Sequence, residues 1–93
     1  MSYIHISHTP GVGLQRYREV YEALGPEPLA GNLLHIVGEL DGTLHIVDVW
    51  ESAAAADRFA AERLFPAFER TGIAPGPDAT SEAFEGEITD RRG

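Results

Sequence analysis

Asn32-Leu-Leu-His-Ile-Val-Gly-Glu-Leu-Asp-Gly-Thr-Leu-His-Ile-Val-Asp-Val-Trp50 is the stretch that decides the fold, because it reads as a hairpin whose register can be counted. Asp41-Gly42 sits between two alternating, β-branched runs, and a type I′ turn needs positive φ at both central residues, which Asp-Gly supplies. With those two at the tip, Leu40 faces Thr43, Val37 faces Ile46, His35 faces Asp48 and Leu33 faces Trp50. Side chains alternate faces along a strand, so Leu34/Val49 and Ile36/Val47 form a second, purely aliphatic wall. The aliphatic wall reads as core. The wall carrying His35, Asp48 and Trp50 reads as a pocket.

Working outward, Tyr3 to Thr9 alternates as a first strand, with Tyr3, His5 and Ser7 on one face and Ile4, Ile6 and His8 on the other. Leu14, Tyr17, Val20, Tyr21 and Leu24 recur at helical steps, which predicts an amphipathic helix from Val12 to Leu24, stopped by Gly25-Pro26. Tyr17 and Tyr21 read as core residues whose hydroxyls reach the surface. Beyond the hairpin, Ser52 is a suitable N-cap for an alanine-rich helix, Ala53 to Leu64, that buries Ala56, Phe59, Ala60 and Leu64. Pro66 predicts a bend near Phe65 and a short continuation to Thr71 closed by Gly72, with Phe59, Phe65 and Phe68 in the core. Ile73 to Ala79 reads as a mobile loop, Thr80 to Thr89 as a fourth strand, and Asp90 to Gly93 as a frayed tail.

The order β-α-β-β-α-β is the split βαβ pattern of ferredoxin-like α+β domains. Right-handed crossovers give an antiparallel sheet of strand order 4-1-3-2. Residues 1–93 are therefore expected to form a single domain, with the aliphatic faces of strands one, two and three covered by the two helices. The opposite face would then expose Tyr3, Leu33, Val37, Ile46 and Trp50 together, a patch that a second copy of the chain would cover.

A length of 93 residues suits one two-layer core, near the size at which a partner subunit helps. The formal charge of -8 is spread along the chain without a Lys/Arg stripe, which argues against nucleic acid and anionic membrane surfaces as partners. There is no cysteine, hence neither a disulfide frame nor a thiolate metal site, and no apolar run is long enough to span a bilayer. A soluble cytoplasmic homodimer is the expectation.

With that topology, the run Leu44-His-Ile-Val-Asp-Val-Trp-Glu-Ser52, followed by a helix and a Leu-Phe-Pro break, resembles the dimeric α+β barrel superfamily. It is most similar to the small proteins of the antibiotic-biosynthesis-monooxygenase type. The resemblance implies two sheets packed face to face as a homodimer, with a small-molecule cavity between each sheet and its helices or inside the barrel. It also implies an asparagine in the quinone-forming members where this chain has Ile46, and a histidine in the haem-degrading members near Ala60. Neither residue is present. The polyketide cyclases of the superfamily are similar in placing a histidine on the inward face of strand one, a position matched by His5.

The candidate catalytic residues are His35, Asp48 and His5. A carboxylate opposite an imidazole orients the ring and favours its charged form, poising an acid or base near neutral pH, and His5 on the neighbouring strand could extend the pair. The bland alternative is a cross-strand pair that only steadies the sheet. The same three residues have the composition of a two-histidine, one-carboxylate metal site, but strand spacing alone does not converge them, and no metal is assigned. His8 and His45 read as solvated. Trp50, Tyr3, Leu33, Val37 and Ile46 would line the substrate site, with Trp50 stacking on a ring. The function that follows is a small cofactor-independent enzyme acting on an aromatic or polyketide-like molecule, by monooxygenation or by cyclisation or isomerisation. A non-catalytic small-molecule-binding or regulatory dimer is the alternative.

Overall fold

Asp41 and Gly42 take φ values of 51° and 76°, so the hairpin tip is the left-handed pair that a type I′ turn requires. Around it, a computed structural model describes residues 1–91. The elements are β1 (Ser2–Pro10), α1 (Leu14–Ala23), β2 (Asn32–Leu40), β3 (Thr43–Trp50), α2 (Ala53–Phe59), α3 (Phe65–Thr71) and β4 (Thr80–Gly86). The sheet runs β2-β3-β1-β4 with every pair antiparallel, which is the expected order counted from the other edge.

The hairpin register holds from Leu40/Thr43 through Leu34/Val49, then slips. Trp50 pairs with Asn32 instead of Leu33, because a bulge between Asn32 and Leu34 leaves Leu33 unpaired on the edge strand and 42% exposed. Gly31 sets this end of the hairpin. Its φ is +82°, and its carbonyl accepts the Glu51 N–H at 2.8 Å.

Which wall the helices cover is the main correction to the sequence reading. They lie over Tyr3, His5, His35, Asp48 and Trp50, while the aliphatic wall expected to be core is the open face, with Leu34, Ile36 and Phe84 each about half exposed. Hydrophobicity alone ranks the aliphatic wall first, but the helices present small inward residues such as Ala55, Ala56, Ala60 and Ala67. Those leave room for wide side chains, and Trp50 fills part of it against Phe59, with ring centroids 5.1 Å apart.

Ser52 caps α2, its hydroxyl accepting the Ala55 N–H at 3.1 Å. The bend expected near Phe65 is a π-helical turn over Ala60–Leu64, after which Pro66 occupies the first turn of α3, where a missing N–H costs nothing. Phe65 is 55% exposed and not in the core, whereas Phe68 packs beside the buried cluster of Val20, Ala67 and Ile73. Ile73 thus pins one end of the irregular segment before β4. That strand stops at Gly86, short of Thr89, because its partner β1 runs out at Ser2, which faces Gly86. Asp90 and Arg91 carry no regular structure, and the rest of the expected tail, Arg92 and Gly93, lies outside the described residues.

Candidate active site

Close packing is concentrated where α1 meets α3, and among the described residues no large side chain is wholly buried. Between the helices and the sheet this leaves a cavity of about 500 Å³, within the range of small-molecule sites. β1 contributes Tyr3, His5 and Ser7 to its floor, and β3 contributes Ile46, Asp48 and Trp50. Trp50 is only 3% exposed, held by its place at the end of β3 and by Phe59 above it.

Three of the polar side chains that line the cavity form a hydrogen-bonded line. His35 Nδ1 and Asp48 Oδ1 are 2.6 Å apart, as their opposed positions on β2 and β3 require. The Tyr17 hydroxyl, reaching in from α1, hydrogen-bonds His35 Nε2. An ionised carboxylate only accepts, so Nδ1 carries the imidazole proton and Nε2 is left to accept from the tyrosine. The bulge supplies a further partner: Asn32, opposite Trp50, points its Nδ2 at Asp48 Oδ1 from 3.4 Å.

The tyrosine is kept protonated. Burial pushes the Tyr17 phenol well above the usual tyrosine range, and the negative charge of Asp48 and then Tyr21 add to the effect. Its ring stacks on His35 with centroids 5.9 Å apart and planes tilted by 23°, and Tyr21 stacks on the same imidazole at 6.0 Å. The histidine is therefore held at both nitrogens and by two ring contacts. Such an arrangement can take up a proton at Nε2 and hold the resulting imidazolium against Asp48.

The expected site residues are brought together in part. His5 lines the cavity and lies across from Asp48 on the adjoining strand, but among the described residues it makes no hydrogen bond to that carboxylate. Tyr3, Ile46 and Trp50 line the cavity as expected. Val37 instead lines a shallower recess behind Tyr17 and His35, beside Arg18 and Pro26, and Leu33 is turned out by the bulge. His8 and His45 meet edge to face on the open side of the sheet, with centroids 4.7 Å apart. Among the described residues, no three His, Cys, Asp or Glu side chains are grouped to hold a metal ion. Tyr17 is the residue that sequence reasoning missed. Its signal was its place in the inward stripe of α1, legible only once the helices are known to cover the His35 wall.

No protein-family model matches the chain, and no curated protein matches it. Solved structures do. A cofactor-independent oxygenase of Streptomyces nogalater, SnoaB, is 12% identical with a TM-score of 0.67, covering 95% of each chain. The ActVA-Orf6 monooxygenase of Streptomyces coelicolor, solved with nanaomycin D, is 16% identical with a TM-score of 0.65, covering 99% of this chain and 93% of that one. A conserved protein of Methanosarcina mazei is 9% identical with a TM-score of 0.73, covering 94% of each. At such identities the likeness is one of fold: this chain has the ferredoxin-like α+β fold of the antibiotic-biosynthesis-monooxygenase-like proteins.

Proposed function

We propose that this chain is a small-molecule enzyme that binds a hydroxylated aromatic or polyketide-like compound between its sheet and its helices and removes a proton from it. The observation that carries this reading is the line Tyr17–His35–Asp48 on the wall of an otherwise largely apolar cavity. A carboxylate and an imidazole set in such surroundings stand where water would compete least with a bound substrate. The fold is compatible with oxygen chemistry, since SnoaB is a cofactor-independent oxygenase. This chain has Ile46 where the quinone-forming relatives would carry asparagine, so the acid-base work falls to His35 and its partners. The anion left on the substrate is the species that would react with oxygen or close a ring. Trp50 would stack on the ring, and Tyr3 and His5 would contact substrate oxygens along the floor.

The assembly that accompanies this reading is a homodimer formed through the open aliphatic face. Ile4, Ile6, Leu34, Ile36, Val47, Val49 and Phe84 share that face, and a continuous apolar surface of this kind is rarely left to water.

A thermal-shift screen of the purified protein against planar phenols, anthrones and acyclic β-keto compounds tests the cavity. A ligand at about a hundred times its dissociation constant contributes about 2.7 kcal/mol, which moves the midpoint of so small a domain by several degrees. The expected result is a shift for hydroxyaromatics that shrinks in Trp50→Ala. No shift from any of these compounds would overturn the reading.

A further inference from the structure

Both ring nitrogens of His35 are already engaged, Nδ1 by Asp48 and Nε2 by the Tyr17 hydroxyl. A substrate could reach Nε2 only by displacing Tyr17, whose ring stacks on His35 and lies tilted against Tyr21. A hydroxyl has one proton to give and lone pairs to accept with. The Tyr17 proton is committed to Nε2, so what this oxygen offers the cavity is its accepting side. Burial and the Asp48 charge keep the phenol neutral at rest, so it is not itself a standing base.

We propose that the Tyr17 hydroxyl, and not a nitrogen of His35, is the catalytic group that meets the substrate, and that the cavity therefore selects ligands presenting an O–H donor to it. The proposal rests on the reading of the cavity as an acid-base site and adds the residue at which the proton enters. The substrate O–H bond breaks as its proton passes to the Tyr17 oxygen. In the same movement the original Tyr17 proton passes to His35 Nε2. Tyr17 is neutral before and after, the substrate becomes an oxyanion, and the imidazolium formed faces Asp48. No electron is transferred and no co-reactant is consumed. His35 and Asp48 act through Tyr17 as positioning and proton-storing residues. A ligand of the same shape that lacks the proton leaves the Tyr17 oxygen without its partner, the situation in which polar sites discriminate most strongly.

The test uses para-nitrophenol, whose ionisation is visible in its absorbance, and its methyl ether, para-nitroanisole. The wild-type protein should bind the phenol at least about tenfold more tightly than the ether, and bound phenol should ionise about one pH unit below free phenol, which is also a factor of ten. In Tyr17→Phe both differences should collapse while both probes still bind, since the stacking ring remains. In His35→Gln the preference for phenol should survive and the ionisation shift should vanish. Discrimination that persists in Tyr17→Phe overturns the role of Tyr17 while leaving the acid-base cavity standing. Ionisation that persists in His35→Gln overturns the relay, and does so even where Tyr17→Phe fails to fold by circular dichroism. Binding of neither probe by the wild type overturns the ligand class and the reading of the cavity together.

Discussion

Tyr17, His35 and Asp48 differ in how each could be seen from sequence. The histidine and aspartate were legible because both lie on one hairpin, where a two-residue turn makes partnership a matter of counting. Tyr17 was not, since its contact depends on how α1 is set over the sheet, which local pattern does not encode. Replacing His35 by Gln with the fold intact should cost about 10²- to 10⁴-fold in turnover, the usual contribution of general acid-base catalysis. Asp48→Asn separates catalysis from carriage: an acid-base site loses rate while ligand affinity holds, and equal turnover in the two proteins would contradict the mechanism. Tyr17 also predicts a response to alkali. Its folded-state pKa is raised, so the stability it contributes is complete below the ordinary tyrosine range and is lost as pH rises from about 10 upward. The gap in stability between wild type and Tyr17→Phe in denaturant melts should be constant below that pH and should change above it, with only the wild type falling through this group.

Among the elements, those announced by a strong local signal were placed well: the hairpin, the stripe of α1, the Ser52 cap and the Pro66 start of α3. What escaped was set by neighbours. The bulge at Leu33 depends on how the hairpin closes beside Gly31, the end of β4 depends on where β1 begins, and the π-helical turn absorbs a residue between two helices that must both face the sheet. The choice of wall escaped for the same reason, because both faces of this sheet are apolar enough to be covered and only the shape of the helical surfaces decides between them. Gly31 offers a direct check. A methyl there would sit 2.7 Å from Ala55 Cβ, on a backbone with φ of +82° that side chains rarely adopt. Gly31→Ala should therefore lose about 1–3 kcal/mol in chemical denaturation, and a neutral result would mean that the contact between this loop and α2 yields freely.

The molecule as a whole is one sheet with helices on one side and an aliphatic surface on the other. None of its described helices is long and apolar enough to cross a membrane. The cover proposed above for the open face is a second copy of the chain. Ile36→Glu, placing a charge in the middle of that face, should turn a dimer into a monomer in sedimentation or light scattering. The melting temperature of the wild type should rise with protein concentration, as it does when folding and association are linked. A wild type that sediments as a monomer at high concentration would remove the assembly from the account.

Because the sheet is a single layer, neighbouring residues of a strand face opposite sides of it. Along β1, Tyr3, His5 and Ser7 look into the cavity, and Ile4 and Ile6 look away from it. If the proposed substrate site and assembly hold, saturation mutagenesis scored separately for turnover and for assembly should give two maps that are out of phase by one position along β1 and β3. Selection on the substrate and selection on the partner would then act on alternate codons, so that this protein could change what it binds without changing what it binds to.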